Sequence, residues 1–278
     1  MKIYSVLLLL IISLFNGQTI INSPGFALKP SPYHVVDYEL SSYNIYYQLQ
    51  FSNNPDHPEN KREALCVLQF GKNFSKFTDV NQLKKDTLTE KFSHQDMVNA
   101  KEAGEMLNIH INYPTIIVKK MADKELIVQD RLRDVYQYEE KQSVFNWKLE
   151  KGEKKILGYS CAKAVVSYRG RTYTAWFTKE VAINNGPYVF EGLPGLILEV
   201  EDAKNDFHFV AVGIDRKPLP IYLRNEDTIF KVSREKFRQV QKTYHDNPGF
   251  FYGKAYNEDG SVITTKAKPL PYNPIELE

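Results

Sequence analysis

Charge of one sign is what this sequence most lacks: 36 Lys and Arg stand against 34 Asp and Glu, a formal net charge of +2. A chain so balanced has no basic stripe of the kind that neutralises phosphates, so a nucleic-acid partner is not expected. Long apolar runs are scarce too. After Phe15 nothing approaches the roughly 18 apolar residues that a spanning helix needs, and no transmembrane span is expected in the mature chain. The motifs of common catalysts are also missing: no G-x-S-x-G nucleophile elbow, no H-E-x-x-H zinc helix, no C-x-x-C pair and no G-K-S/T phosphate loop. The six histidines, His34, His57, His94, His110, His208 and His245, show no metal-ligand spacing, so no metal, cofactor or catalytic residue is expected.

What is present begins with a leader. Lys2 followed by the apolar run Ile3 to Phe15, and then Asn16, Gly17 and Gln18, has the charge, length and polar end of a signal peptide over residues 1–18. Residues 19–278 are then read as a single exported domain, in the periplasm or associated with an outer membrane, with an extended tail from about residue 257. In such a compartment Cys66 and Cys161 either form a disulfide, worth up to about 4–5 kcal/mol for a loop of that length, or are two separately buried thiols.

Period assigns the elements. Tyr43, Ile45, Tyr47 and Leu49 alternate with Asn44, Tyr46, Gln48 and Gln50, a half-buried strand, and ALCVLQF after a Pro- and Asn-rich turn is another. Spacing by three to five from Val80 to Phe92 predicts a helix from Asp79 to about Met106, ended by Gly104 or divided near Ser93 and Asp96. Strands are expected at 114–120, 125–133 and 135–139, and a last helix after Ser233, stopped by Asn247, Pro248 and Gly249.

Residues 158–180 read as a hairpin. A two-residue turn at Arg169 and Gly170 sets Tyr168 opposite Arg171, Val166 opposite Tyr173, Ala164 opposite Ala175 and Lys163 opposite Trp176. One face, with Ala162, Ala164, Val166, Tyr168, Tyr173, Ala175 and Phe177, is core. The other carries Cys161, Lys163 and Trp176, with the Lys163 ammonium over the indole ring. Pro194 and Gly195 fit the centre of a type II turn that feeds Leu196, Leu198 and Val200 onto one face of a strand and Ile197, Glu199 and Glu201 onto the other. Asp206 and His208, two apart on the return strand, are expected to share a face.

The run Gly192-Leu193-Pro194-Gly195-Leu196-Ile197 reads GLPGLI, and with GYSCAKA at 158–164, YRGRTYTAWFT at 168–178 and NPIEL at 273–277 the chain closely resembles the GLPGLI family of exported Bacteroidota proteins. It departs from the family's wording at Val181-Ala182-Ile183, where an Ile-Pro pair is expected. The resemblance implies an envelope protein and carries no activity, so it brings no catalytic residues. The fold expected is α+β and β-dominated: a large curved antiparallel sheet, half-barrel-like, with one or two helices packed on one side. Aromatic abundance, with 18 Tyr and 16 Phe, makes that sheet a surface for an apolar or peptide-like ligand, with Trp176, Lys163 and Arg171 as its binding residues. The alternatives are an interaction protein docking on an outer-membrane transporter or secretion complex, and an envelope hydrolase built on Asp206 and His208.

Overall fold

The structure, a computed structural model, describes residues 27–251 and 267–278. The expected leader and the start of the expected tail lie outside the described residues. In chain order the elements are β1 (Ala27–Leu28), β2 (Val35–Leu40), β3 (Tyr43–Phe51), β4 (Arg62–Phe70), β5 (Phe74–Asp79), α1 (Val80–Ser93), β6 (Val98–Asn99) and α2 (Ala100–Leu107). Then follow β7 (Ile116–Lys120), β8 (Glu125–Arg131), β9 (Val135–Lys141), β10 (Lys148–Ile156), β11 (Tyr159–Tyr168) and β12 (Arg171–Thr178). The last are β13 (Leu196–Asp202), β14 (Phe207–Asp215), β15 (Pro220–Arg224), β16 (Phe230–Lys231) and α3 (Arg234–Asp246).

One 12-stranded sheet dominates, in the order β10-β11-β12-β13-β14-β3-β4-β5-β7-β8-β9-β16. All its pairs are antiparallel except the short β16 against β9. Nine strand spacings separate β11 from β9, about 43 Å on a flat sheet. Yet Arg169, in the turn after β11, lies 2.7 Å from the Glu140 carboxylate on β9. The sheet therefore curls until its two margins face each other, without the strand pairing that would close a barrel. This is the β-dominated α+β architecture with a large curved sheet that the pattern predicted.

Alternation decides the two faces. The inner face carries Ile45, Tyr47, Leu49, Cys66, Phe77, Ile117, Tyr138, Tyr173 and Phe209 in one buried cluster, and each large side chain removed from water there contributes about 1.5–3 kcal/mol. The hairpin forms in the expected register, Tyr168 opposite Arg171 through Ala162 opposite Phe177. Arg169 and Gly170 both take positive φ, 43° and 81°, the backbone that a two-residue turn between right-twisted strands demands. Outside, the ribbon formed by β2 and β15 covers β5, β7 and β8: Leu223 packs on Ile116, Val118 and Ile127, and Tyr38 stacks on Phe74 at 4.5 Å. Helix α1 sits beside that ribbon, where its buried Asp86 accepts from Tyr222 Oη (3.0 Å) and from Arg224 (3.0 Å).

The predicted long helix is divided as its Ser93 and Asp96 suggest, into α1 and α2. Asp79 caps the first through the Asn81 amide, and Asn99 with Glu102 forms a reciprocal capping box on the second. Gly104 lies inside α2 and does not end it. Helix α3 starts at its Ser233 cap and packs Phe237 on Tyr136 and Tyr138 at the inner side of β9. Edge strand β10 has no apolar alternation and was missed by pattern. It is charged, exposed and bulged between Glu150 and Glu153, a set of features that discourages edge-to-edge pairing.

Of the two arrangements open for the cysteines, the structure has the second: Cys66 on β4 and Cys161 on β11 lie five strands apart in the sheet order, and both are buried free thiols. Two local expectations are corrected. The Pro194-Gly195 turn is tighter than type II: the Gly195 amide donates to Leu193 O at 2.8 Å, a three-residue turn around Pro194. A bulge between Trp176 and Phe177 in the β12–β13 ladder then turns Ile197 from the outer set into the core, where it is fully buried.

Denaturing the unreduced protein in iodoacetamide should give two carbamidomethyl groups per chain by mass spectrometry; a species 2 Da light and unlabelled would mean a bridge. Gly195 is held at φ 141°, and a methyl group there would meet the Thr178 carbonyl, its carbon 2.7 Å away. Gly195→Ala should therefore cost about 3 kcal/mol. Gly158→Ala, with φ 85° and open space around it, should cost about 1–2 kcal/mol, and urea unfolding midpoints of the two variants measure the difference.

Candidate functional site

The inner face of the curled sheet is filled by the chain itself. Between β12 and β13 the segment 183–193 folds inward and buries Tyr188, Val189, Phe190 and Leu193. Phe190 meets Tyr173 edge-on at 4.7 Å and lies within a cluster that includes Phe145, Trp147 and Tyr168. The polar backbone of this plug is satisfied from across the sheet. Lys119 on β7 donates to Asn185 Oδ1 (2.8 Å) and to Phe190 O (3.1 Å), Asn185 donates to Ser75 Oγ (2.9 Å), and Trp147 Nε1 donates to Glu191 O (2.7 Å). Burial pushes the Lys119 ammonium down to about 8 although Glu191 supports its charge. Gly186 has no room for a side chain, since a Cβ would lie 2.8 Å from Ile197 Cβ. The GLPGLI run thus ends the plug in a tight internal turn.

One end of the curled sheet, where β3 and β8 finish and β4, β12 and β14 begin, is bound by the C-terminal segment 272–277. Arg171 is at the centre: its guanidinium lies 2.9 Å from both Asp202 and Asp206, and it also donates to Asn273 Oδ1 (2.6 Å) and Pro274 O (2.8 Å). Tyr173 Oη donates to Ile275 O (2.6 Å), and the Leu277 amide to Arg169 O (2.9 Å). Glu276 is buried and accepts from Tyr188 Oη (2.7 Å), Tyr168 Oη (3.2 Å), Arg169 (2.6 Å) and Arg234 (2.7 Å). Burial alone would raise its carboxyl, but the Arg169 charge and the Arg234 and Tyr188 hydrogen bonds hold it below the usual carboxylate range. The described part of the tail, 267–278, is irregular and firmly tied down.

Beside this strap a cleft of about 270 Å³ remains. Phe51, Arg62, Tyr113, Asp130, Arg131 and Phe207 line it from the sheet end; Arg238, Tyr244 and His245 of α3 and Tyr272 of the strap line it from the other side. Arg62 lies over the Phe51 ring at 5.7 Å. Neither Arg62 nor Arg131 makes an ion pair among the described residues, and both are exposed. Asp130 accepts from Thr115 Oγ1 (3.0 Å) and the Arg131 amide (2.7 Å), and burial pushes its carboxyl up to about 6. Aromatic faces next to uncommitted guanidinium groups form a set suited to recognition of an anionic or carboxylate-bearing ligand.

Of the three residues expected to bind together, two are neighbours across the hairpin and Arg171 stands apart. Trp176 and Lys163 do share the outer face of the sheet, but Lys163 pairs with Glu150 at 2.8 Å, and it is Lys154 whose ammonium lies over the indole, at 5.2 Å. Arg171 is buried on the inner side with its donors committed to Asp202, Asp206 and the strap. Asp206 and His208 do not meet either: Asp206 precedes β14 and turns inward, while His208 Nε2 faces Glu199 Oε1 at 2.9 Å on the outer face. That removes the Asp-His pair on which a hydrolase reading rested. The sequence reading did not find Glu276, Asp202 or Asn185. A glutamate set between the apolar Ile275 and Leu277 was the signal available for the first.

Residues 168–199 match a family model, Porph_ging, described as a protein of unknown function; the stretch holds the hairpin turn, β12, the plug and the GLPGLI run. No curated protein matches the chain in sequence. Among solved structures it is similar to PNGF-II in a P21 crystal form, with 15% identity and a TM-score of 0.45, covering 73% of this chain and 33% of that one. PNGF-II in a C2 form gives 14% identity and a TM-score of 0.46, covering 73% and 32%. An uncharacterized conserved protein from Thermus thermophilus gives 12% identity and a TM-score of 0.34, covering 69% and 91%. The chain spans about a third of the length of the PNGF-II structures it matches.

Glu276→Gln should cost about 3–5 kcal/mol at pH 7, because it leaves the Arg169 and Arg234 charges without their common partner. The depressed folded pKa means that the carboxylate's contribution is complete above the ordinary Glu value of about 4.3 and is lost as pH falls through the folded value. The gap in thermal midpoint between wild type and variant should therefore shrink below about pH 4. A gap unchanged from pH 7 to pH 3 would show that the carboxylate charge is not what holds the strap.

Proposed function

We propose that this is an exported cell-envelope protein of the GLPGLI type that acts as a non-enzymatic binding module, and that its ligand is peptide-like and carries a carboxylate. The observation that carries the reading is the cleft beside the C-terminal strap, where aromatic rings stand next to Arg62 and Arg131. The filled inner face argues against an apolar ligand enclosed by the sheet. A guanidinium fork takes a carboxylate in two parallel hydrogen bonds, each charge-assisted and worth about 1.5–3 kcal/mol, while tyrosine and phenylalanine faces accept side chains with little ordering cost. The competing reading, docking on an outer-membrane partner, has one observation of its own. A mainly apolar groove of about 250 Å³ lies between β1, α1 and α2, lined by Leu28, Phe92, Val98, Ala103, Met106 and Leu107.

A pool of N-acetylated tripeptides, with free-acid and amidated C-termini, presented to the protein in native mass spectrometry distinguishes these readings. Free acids should be retained over amides, and the double substitution Arg62→Ala with Arg131→Ala should weaken retention about tenfold or more with little change in thermal midpoint, since both side chains are exposed. Equal retention of amides, or an unaffected double variant, removes the cleft reading and shifts the weight to the groove.

A further inference from the structure

A carboxylate buried on the outward face of a sheet needs a reason, and Glu199 is one. On β13 it stands opposite Trp176 of β12, and only 4% of its side chain is exposed. Oε1 faces His208 Nε2 at 2.9 Å. Oε2 accepts no hydrogen bond of acceptable geometry; its neighbour is the ammonium of Lys154, in ion-pair contact from edge strand β10. Two residues on, Glu201 projects from the same face of β13, and it is the register partner of His208 on β14. Ligand atoms of Glu199, Glu201 and His208 all lie within 4.8 Å of one another.

The geometry points to a divalent metal site here, with Glu199, Glu201 and His208 as protein ligands and zinc as the ion. Two carboxylates and one imidazole form an oxygen and nitrogen donor set that zinc accepts, and the fourth tetrahedral position falls to water. Bonds of 2.0–2.2 Å place tetrahedral ligand atoms about 3.4 Å apart, so small side-chain rotations close the cluster. The backbone needs no movement, because two ligands sit one pleat apart on β13 and the third is directly across the ladder. Lys154 is the built-in competitor. Its ammonium supplies one positive charge against two carboxylates, and the Lys154 side chain, 37% exposed on an edge strand, can swing away as a doubly charged ion takes the Oε2 position. Trp176, with Gly152 packed on its ring, walls the site on the β12 side. The site is separate from the cleft and does not depend on how the cleft is used.

Zinc chloride titrated against a chromophoric zinc indicator, with metal counted by mass spectrometry after desalting, is the test. The wild type should take up one zinc per chain. Lys154→Met should tighten binding by about tenfold or more, and His208→Ala and Glu201→Gln should each weaken it by at least about tenfold. Circular dichroism confirms folding, and because Glu201 is only half-buried its variant serves if His208→Ala does not fold. Absence of uptake by both the wild type and Lys154→Met overturns the assignment. So does one equivalent of zinc that neither His208→Ala nor Glu201→Gln weakens, which would place the ion at another site.

Discussion

The Glu276 carboxylate holds together parts of the chain that have no other reason to meet. Arg169 comes from the β11–β12 turn near one margin of the sheet, Arg234 from α3 beside the other, Tyr188 from the inner plug, and all three converge on one buried side chain. A 12-stranded sheet with free margins exposes both its edges and its inner face. Pairing margin to margin would seal it, but this chain seals it with charge: Glu140 and Glu276 against Arg169 and Arg234 across the gap. Such pairs offset their desolvation only with satisfied geometry, and here two tyrosine hydroxyls complete the acceptor oxygens. Loss of any one partner leaves a charge enclosed, which is why the strap behaves as part of the fold.

The plug follows from the same constraint. A curled sheet has an interior wider than its own side chains fill, and in a larger barrel that volume becomes a ligand cavity. Here Tyr188, Val189 and Phe190 occupy it, and Lys119, Ser75 and Trp147 satisfy the backbone and amide groups that enter with them. Two glycines make the entry feasible: Gly186 passes against Ile197 and Gly195 against the Thr178 carbonyl. The conspicuous motif is therefore architectural, and the open cleft lies at the strap end, beside α3. The outer face carries a second chemistry, a buried carboxylate with a histidine, held by a lysine from an edge strand.

Parts of this were legible beforehand. The alternation of Tyr43 to Gln50 gave the inner strand, the Arg169-Gly170 dipeptide set the hairpin register residue for residue, and Ser233 and Asn247 bounded α3. Each rests on neighbours a few positions apart, where backbone sterics and period act. The misreadings share a different cause. Strand β10 owes its conformation to pairing with β11 and has no pattern of its own. Ile197 changed faces because of a bulge opposite Trp176. Arg171 was expected to bind a ligand, but Asp202 and Asp206 from the β13–β14 turn and Asn273 from the strap engage it. The cleft residues come from β3, β4, β8, β14, α3 and the strap, so no window of sequence contains the site.

What the sequence by itself determined is local: which residues alternate, where the chain turns, which helices start and stop, and that apolar and aromatic residues suffice for a large β core. Those depend on φ/ψ preferences and on burial of one face, and both are properties of short stretches. Only the tertiary structure decided where the polar side chains spend their hydrogen bonds. Whether Arg171 is a clamp or a hand, whether Cys66 and Cys161 meet, and whether Glu199 faces water or His208 are all set by groups far away in the chain. A hydrogen bond needs donor and acceptor within about 3.2 Å, and only the fold fixes those distances.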